Sequence, residues 1–179
     1  MYMLEARIKS IIRDIPDFPQ PGIVFKDITP ILKDQQLCEE IIDHIVACLK
    51  DVEIDAIAGI ESRGFLFGML LANRLNIPFI PIRKQGKLPF KTVSESYKLE
   101  YGQATIEVHE DAFSPGSKVL IHDDLLATGG TVVAASKLLG KLGAQIVGYS
   151  FIISLDFLQS QGRLTRFSDR IISLARFAD

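Results

Sequence analysis

Residues 119–131 combine acidic, hydroxyl and glycine residues in an order that could bind a sugar phosphate. The segment reads VLIHDDLLATGGT, so an apolar strand leads into two adjacent carboxylates, Asp123 and Asp124. Carboxylates can accept hydrogen bonds from vicinal hydroxyl groups. The glycines let backbone N–H groups approach a ligand, and the helix that follows adds unpaired N–H groups and a positive dipole end. Such a bend favours a phosphate.

The residues of this bend, which we name the phosphate cradle, are small or carry hydroxyl groups: Ala127, Thr128, Gly129, Gly130 and Thr131. No Gly-Lys-Ser/Thr follows the glycines, which excludes a Walker P-loop. No GxGxxG opens the helix, which excludes a Rossmann dinucleotide site. A pair of Asp residues that cap a helix after an ordinary glycine turn is the alternative interpretation, and it needs no ligand.

A second strand-to-helix turn and a basic segment also favour anions. The turn, GIESRGF at residues 59–65, places Arg63 beside a helix N-terminus. A capped helix with a surface arginine is the alternative there. The basic residues that follow, with no acid before Glu95, are Arg83, Lys84, Lys87 and Lys91. A charge cluster is usually a solvated face, but at the mouth of a phosphate crevice it could close over an anionic leaving group.

Apolar periodicity predicts the elements that must position these groups. Helical spacing covers residues 3–13 and 37–49. Two strand–helix–strand units follow, over residues 56–60, 65–74 and 77–82 and over residues 118–121, 130–142 and 145–153. Strands joined through a helix pair in parallel. The sequence therefore predicts an α/β fold with a mainly parallel sheet that is flanked by helices on both faces.

The segment between the two units is polar. Residues 83–98 contain Gly86 and Pro89 without a clear period, which predicts a long functional or mobile loop. Residues 97–108 alternate enough for a strand or hairpin. Ligands of this fold class bind outside the carboxyl ends of the strands. We therefore expect the turns at 61–64 and 123–130 and the loop after Ile82 to converge on one crevice.

Composition narrows the class of protein. With 179 residues, 47% of them hydrophobic, the chain suits one compact domain over residues 1–179. A formal net charge of −2 argues against nucleic-acid binding. Cys38 and Cys48 would lie about 15 Å apart on one helix, too far for a disulfide, which indicates a reducing compartment. Since neither a signal peptide nor a membrane-spanning apolar run is visible, we expect a soluble, cytoplasmic protein without a membrane partner.

Residues 119–131 resemble the motif by which type I phosphoribosyltransferases bind 5-phosphoribosyl 1-pyrophosphate (PRPP), and the resemblance covers most of residues 15–150. It implies the twisted, mainly parallel sheet of that family. The turn at 59–65 resembles the family's pyrophosphate-binding loop, which implies a non-proline cis peptide between Glu61 and Ser62. His122 stands where the family usually has an aliphatic residue. We expect a satisfied histidine facing a neighbouring layer, and the sequence assigns it no function.

Three further segments are similar to adenine-specific members of this family. FPQPGIVFKDITP at residues 18–30 resembles their N-terminal hood, here about residues 1–35, and implies that adenine binds at Val24, Phe25 and Lys26, with Leu125 from the PRPP motif. IRKQGKLP at 82–89 resembles their mobile loop, here about residues 83–98. LEYG at 99–102 resembles its end, which implies that Glu100 handles a proton of the base.

The implied reaction is that of a purine salvage enzyme, in which adenine and PRPP give AMP and pyrophosphate. Asp123 and Asp124 would hold the ribose hydroxyls, and the phosphate cradle would grip the 5′-phosphate. The implied catalytic residues are Glu100 and Arg63. The implied pyrophosphate-binding residues are Glu61, Ser62, Arg63, Arg83, Lys84, Lys87 and Tyr101. Mg²⁺ would be held mainly by substrate, without direct protein ligands, and the family is commonly homodimeric.

Two alternatives stay open. One is a phosphoribosyltransferase for hypoxanthine, xanthine or orotate, against which the hood and the LEYG segment argue. The other is a non-catalytic PRPP-sensing regulator that binds nucleic acid. Such a regulator needs a DNA-binding extension, and we expect the stretch before the segment at 18–30 to be too short for one.

Overall fold

The apolar runs of the sequence form buried strands, and the helices between them cover the resulting sheet. The computed structural model describes residues 2–98 and 102–178. Within these ranges the helices are α1 (Tyr2–Ile11), α2 (Gln35–Cys48), α3 (Gly64–Leu75), α4 (Gly130–Lys141) and α5 (Gln161–Leu164). The strands are β1 (Arg13–Ile15), β2 (Phe25–Asp27), β3 (Ala56–Ile60), β4 (Phe79–Lys84), β5 (Thr92–Lys98), β6 (Gln103–His109), β7 (Lys118–Leu126), β8 (Gln145–Leu155) and β9 (Ile171–Phe177). Short 3₁₀ helices cover Thr29–Lys33 and Asp156–Leu158.

The central sheet has seven strands in the order β5-β6-β4-β3-β7-β8-β9. From β4 to β9 across the sheet, neighbours pair in parallel, whereas β6 is antiparallel to both β4 and β5. A separate antiparallel pair, β1 with β2, lies in the predicted hood. Both predicted strand–helix–strand units are present, so the predicted α/β class with a mainly parallel sheet is confirmed.

Successive residues of the central strands point to opposite faces and supply two apolar cores. Ala58 and Ile121 face the core that α4 covers. Ile57 and Leu120 face the core formed with α1, α2 and α3. Helices therefore lie on both faces, and the strand ends that carry the acidic residues are held rigidly between two packed layers.

The prediction of an irregular loop over residues 83–98 is wrong. Arg83 and Lys84 end β4, a turn follows, and Thr92–Lys98 pairs along its whole length with β6. The alternation is hidden because Glu95, on the half-buried side of β5 with Val93 and Tyr97, looks like a surface residue. Its carboxylate lies 2.7 Å from the ammonium of Lys141 on α4, which balances the charge there.

Strand β7 and the C-terminal region also differ from the sequence-based expectation. Strand β7 continues five residues past Ile121, because β8 pairs with it as far as Leu126 and Ser154. Asp123 and Asp124 therefore lie within a strand rather than after one. Strand β9, in a region without a motif, pairs in parallel with β8 and forms one edge of the sheet. Within the described residues, no helix has the length and apolarity needed to cross a membrane.

Candidate functional site

The turns after β3 and β7 touch each other at the carboxyl edge of the sheet. Gly64, which opens α3, lies so close to β7 that a Cβ there would be 2.9 Å from the backbone oxygen of His122 and 3.0 Å from Oδ1 of Asp123. Real Cβ atoms need more space than this, so only glycine lets the two segments approach. The predicted convergence of the turns at 61–64 and 123–130 is thus present.

An ion pair between Arg63 and Asp124 joins the two turns. Nε of Arg63 donates a hydrogen bond of 2.5 Å to Oδ2 of Asp124. The carboxylate is 5% exposed, whereas the arginine side chain is 33% exposed and keeps one side open. The guanidinium carbon also lies 4.8 Å from the ring centroid of Phe25 in the hood. Arg63 therefore connects the anion-binding turn, the acidic pair and the aromatic ring.

The acidic pair consists of two chemically different groups. Oδ1 of Asp123 accepts a 2.9 Å hydrogen bond from the backbone N–H of Asp124. Burial, and then the neighbouring charge of Asp124, raise the pKa of Asp123 well above its usual range. Asp124 is the residue that meets Arg63. One acid is thus easily protonated, while its neighbour is neutralised by an ion pair.

Glu61 organises the start of the basic segment. Its carboxylate accepts a hydrogen bond of 2.9 Å from the backbone N–H of Lys84 and one of 3.2 Å from Nε of Arg83. Burial would raise the pKa of Glu61, but these hydrogen bonds outweigh it and hold the pKa below its usual range. The peptide bond from Glu61 to Ser62 is cis, as the resemblance implied. Glu61 thereby fixes the basic residues that follow β4.

Sequence reasoning missed Glu107, which anchors the turn that contains Lys87. Oε1 of this buried glutamate accepts 3.1 Å hydrogen bonds from the backbone N–H groups of Lys87 and Leu88. Its other oxygen accepts one of 3.3 Å from the hydroxyl of Thr92. A glutamate between two apolar strand residues usually faces solvent, so the sequence carried no signal for this role.

A cavity of about 1090 Å³ joins the hood to the phosphate cradle. The predicted adenine-binding residues Val24, Phe25, Lys26 and Leu125 line it, together with Ala127, Thr128, Gly130 and Thr131 of the cradle. Gly129 stands behind the wall with φ +76°, and a Cβ on it would lie 3.2 Å from Cβ of Ser160. The predicted base-binding and phosphate-binding segments therefore share one cavity.

The other predicted site residues that the structure describes do not line this cavity. Arg63 contacts the ring of Phe25 on its wall and pairs in turn with Asp124. The ammonium of Lys26 is engaged by Asp14 at 2.8 Å and lies 4.4 Å from the ring centroid of Phe177. Because its ammonium is engaged, Lys26 would contact a base through its backbone. Glu100 and Tyr101 lie outside the described residues.

Part of the cavity wall comes from residues without any motif. The C-terminal contributors are Leu155, Phe157, Leu158 and Arg163, and β5 contributes Tyr97 and Lys98. The hydroxyl of Tyr97 accepts a 3.0 Å hydrogen bond from that of Thr131. Phe157 and Leu158 are large apolar side chains with substantial exposure. Two such residues directly after a buried strand are the one sequence signal that points to this wall.

His122 is fully buried between β8 and α3. Its Nδ1 lies 2.8 Å from Oγ of Ser150, and a Cβ on Gly68 of α3 would lie 3.4 Å from its ring. Nε2 is buried and has no hydrogen-bond partner among the described residues. The expected satisfied histidine is thus satisfied at one nitrogen only. Burial lowers the pKa of His122 to about 3.

We expect His122→Gln to reduce the acid sensitivity of folding. The pKa of the folded histidine is depressed, so between pH 6.5 and pH 3 the unfolded chain takes up a proton that the folded chain does not. Stability is therefore lost as pH falls through this window, by about 2 kcal/mol from pH 7 to pH 5. Urea unfolding at both pH values measures the difference. His44→Gln is the control, and an equal loss in His122→Gln and the parent chain would contradict the prediction.

Comparison with known proteins places this geometry in a family. Residues 27–163 match the family described as phosphoribosyl transferase domain. The adenine phosphoribosyltransferase of Cytophaga hutchinsonii is 55% identical over 98% of this chain and 97% of its own. That of Myxococcus xanthus is 48% identical over 97% of this chain and 94% of its own. The crystal structure of adenine phosphoribosyltransferase from Rhodothermus marinus superposes with a TM-score of 0.93 at 45% identity, covering 99% of this chain and 100% of that one. The chain therefore belongs to the phosphoribosyl transferase domain family and, within it, to the adenine phosphoribosyltransferases.

Proposed function

We propose that the protein transfers the phosphoribosyl group of PRPP to adenine in purine salvage. The reaction would take place in the cavity and in the crevice beside it, and the predicted site residues would carry it out. The observation that carries the proposal is the single cavity between the Phe25 ring and the phosphate cradle, with the Arg63–Asp124 pair alongside. An aromatic ring suits a planar base, and a glycine bend suits a phosphate. Near-full-length similarity to adenine phosphoribosyltransferases supports adenine as the base.

Adenine would lie between Phe25 of the hood and Leu125 of β7. Both side chains border the cavity, and the ring of Phe25 offers a flat apolar face. Backbone groups of Val24 and Lys26 would bind the edge of the base. A backbone contact fits Lys26, because its ammonium already pairs with Asp14. Leu155 and Phe157 would shield the base from water.

PRPP would be held from both ends, so that C1′ of the ribose faces N9 of adenine. The cradle would bind the 5′-phosphate, and Asp123 and Asp124 would accept hydrogen bonds from the ribose hydroxyls. Binding the remote groups of a substrate aligns its reacting atoms and lowers the entropic part of the barrier. The N9–C1′ bond forms as the bond from C1′ to the pyrophosphate oxygen breaks.

The negative charge that develops on pyrophosphate would be stabilised by the basic side of the crevice. Arg63 keeps one side of its guanidinium exposed beside Asp124. Arg83 and Lys84 are fixed by Glu61, and Lys87 by Glu107. Preorganised donors of this kind act without reorganisation at the moment of reaction. Ser62 and Tyr101 would add hydroxyl groups, and Glu100 would accept the proton on N7 as N9 attacks.

Mg²⁺ would accompany PRPP and be held mainly by substrate oxygens. Among residues 2–98 and 102–178, no group of three His, Cys, Asp or Glu side chains forms a metal cage. Glu61 is engaged by Arg83 and Lys84, and Asp124 by Arg63, so these carboxylates are already paired. The site therefore fits Mg²⁺ that is held mainly by phosphate oxygens and water, which suits an ion that keeps several of its waters. When bound, the ion neutralises charge on the leaving group.

The proposed function is tested by mixing the purified protein with PRPP, Mg²⁺ and one base at a time. We expect pyrophosphate release with adenine and none with hypoxanthine, xanthine or orotate. Chelation of Mg²⁺ with EDTA should stop the reaction. Release with hypoxanthine but not with adenine would contradict the choice of base, and release with no base would contradict the proposal as a whole.

The protein would act in the cytoplasm. Cys38 and Cys48 are both free, as the sequence predicted. Burial raises the pKa of the Cys38 thiol, which favours its reduced, unreactive form. Free cysteines are typical of proteins in reducing compartments.

We also infer a homodimer, in which α3 forms part of the contact between two copies. Leu66, Met69 and Leu70 follow one another at helical spacing and are exposed, with Met69 at 54%. An apolar stripe of this kind on a soluble protein marks an interaction surface. A two-fold symmetric contact would let the same stripe meet its own copy.

We expect Met69→Glu to convert the dimer to a monomer. A charge placed in the middle of an apolar contact would lose its water on association, so the association constant should fall by at least about tenfold. Light scattering coupled to gel filtration measures the mass. Met3→Glu on α1, at a position that is 88% exposed, is the matched control and should leave the mass unchanged. An unchanged mass in Met69→Glu, or a monomeric parent, would refute the inference.

A further inference from the structure

The segment after β8 packs directly against the phosphate cradle. Ser160 is buried, and its Cβ would lie 3.2 Å from a Cβ on Gly129. Three residues later, Nη1 of Arg163 donates a hydrogen bond of 3.2 Å to the backbone oxygen of Thr128. Arg163 also lines the cavity, beside Thr128 and Gly130. The cradle is therefore supported by a residue that borders the same cavity.

Within the part of the chain that the structure describes, no carboxylate neutralises the charge of Arg163. No salt bridge to Arg163 occurs within residues 2–98 and 102–178. The acid in the same segment, Asp156, accepts instead from the hydroxyl of Ser154 at 2.7 Å and from the amide of Gln161 at 3.4 Å. Among the described residues, Arg163 thus presents a positive charge without a carboxylate partner to the cavity wall next to the cradle.

We propose that Arg163 is a positioning residue for the phosphate cradle and that it favours the 5′-phosphate of the sugar over the pyrophosphate end. The peptide between Thr128 and Gly129 is planar, so a donor that fixes the oxygen of Thr128 also fixes the direction of the N–H of Gly129. A guanidinium can hold that oxygen with one nitrogen while another faces an anion, which an ammonium does less well. This inference rests on the proposed function only in assigning the cradle to the 5′-phosphate.

The test measures ribose 5-phosphate and pyrophosphate binding separately by calorimetry. Arg163→Gln should weaken ribose 5-phosphate binding by about tenfold, the lower end of what a charged hydrogen bond contributes. Pyrophosphate binding in the presence of Mg²⁺ should stay within about twofold, because its proposed residues belong to the turn after β3 and the segment after β4, and Arg163 contacts the cradle instead. Arg163→Lys should fall between Arg163→Gln and the parent. Arg166→Gln, an exposed arginine of the same segment that does not line the cavity, is the control.

Steady-state kinetics provides the second measurement. Arg163→Gln should raise KM for PRPP about tenfold and leave KM for adenine nearly unchanged. The inference is overturned if both ligands weaken equally, if Arg166→Gln has the same effect, or if Arg163→Gln binds ribose 5-phosphate like the parent. Failure of the parent chain to use adenine would instead remove the proposed function. Ribose 5-phosphate binding still tests Arg163 in that case, because it requires no turnover.

Discussion

Replacing Asp124 by Asn should weaken PRPP binding about 100-fold while the protein stays folded. The substitution keeps the shape and one acceptor oxygen but removes the charge that Nε of Arg63 meets at 2.5 Å. A hydrogen bond from a sugar hydroxyl to a charged carboxylate is worth about 1.5–3 kcal/mol, or about 10- to 100-fold. Arg63 would in addition lose its fixed direction. Calorimetric titration with PRPP and Mg²⁺ measures the change directly.

Asp124 also influences the pKa of Asp123. The charge of Asp124 is the second cause, after burial, of the raised pKa of Asp123. In Asp124→Asn that cause is absent, so the pKa of Asp123 should fall and Asp123 should ionise at lower pH. The remaining PRPP affinity should therefore decline at a lower pH than in the parent chain. Asp111→Asn, at an exposed position, is the control for the loss of one acid. PRPP affinity within twofold of the parent would exclude the role of Asp124 in binding ribose.

Local backbone chemistry is what the sequence predicts best at this site. The order of apolar, acidic, glycine and hydroxyl residues at 119–131 encodes a strand, a bend and a helix start within one short segment. Gly129 stands in the bend with φ +76°, a left-handed conformation that glycine adopts without strain. Such features depend on neighbours in sequence, so they can be recognised without the fold.

Features that depend on partners far apart in the chain cannot be recognised from the sequence. Glu95 looks like a surface residue until Lys141 on α4 is known to lie 2.7 Å away, and the strand that contains it was predicted as a loop. Glu107 can be buried because it accepts hydrogen bonds from two backbone N–H groups of the turn after β4 and from the hydroxyl of Thr92 on β5. Nothing close to either residue in the sequence carries that information. The same holds for Arg163, whose contact with Thr128 spans 35 positions.

The position of Arg63 explains how the separate motifs form one site. Its turn follows β3, its acidic partner belongs to β7, and the Phe25 ring comes from the hood, so three distant parts of the chain meet at one guanidinium. The parallel pairing of β3 with β7 brings the first two together, because parallel strands share a carboxyl edge. Phe25 of the hood then packs on the guanidinium of Arg63. Sheet topology, rather than any single motif, therefore creates the crevice.

Replacing Glu100 by Gln should lower kcat with adenine about 100-fold and change KM for PRPP by less than about threefold. Transfer of a proton by a positioned side chain contributes about 10²- to 10⁴-fold to a rate, and an amide cannot accept the proton. Lys98, two positions before Glu100 in the sequence, lines the cavity in which adenine is proposed to bind. Initial-rate kinetics with both substrates varied separates kcat from KM.

The controls for Glu100 must separate proton transfer from a general effect of charge near the crevice. Glu110→Gln removes one acid from the end of the same hairpin, where it lies 3.8 Å from Lys91, and should leave kcat unchanged. Glu100→Asp keeps a carboxylate on a shorter side chain and should recover part of the rate. Because PRPP binding uses the cradle and the acidic pair, its affinity should be nearly the same in all three variants. If Glu100→Gln turned over adenine at the parent rate, or lost PRPP affinity and kcat in equal measure, the base would exchange its proton elsewhere and Glu100 would act only in closing the site.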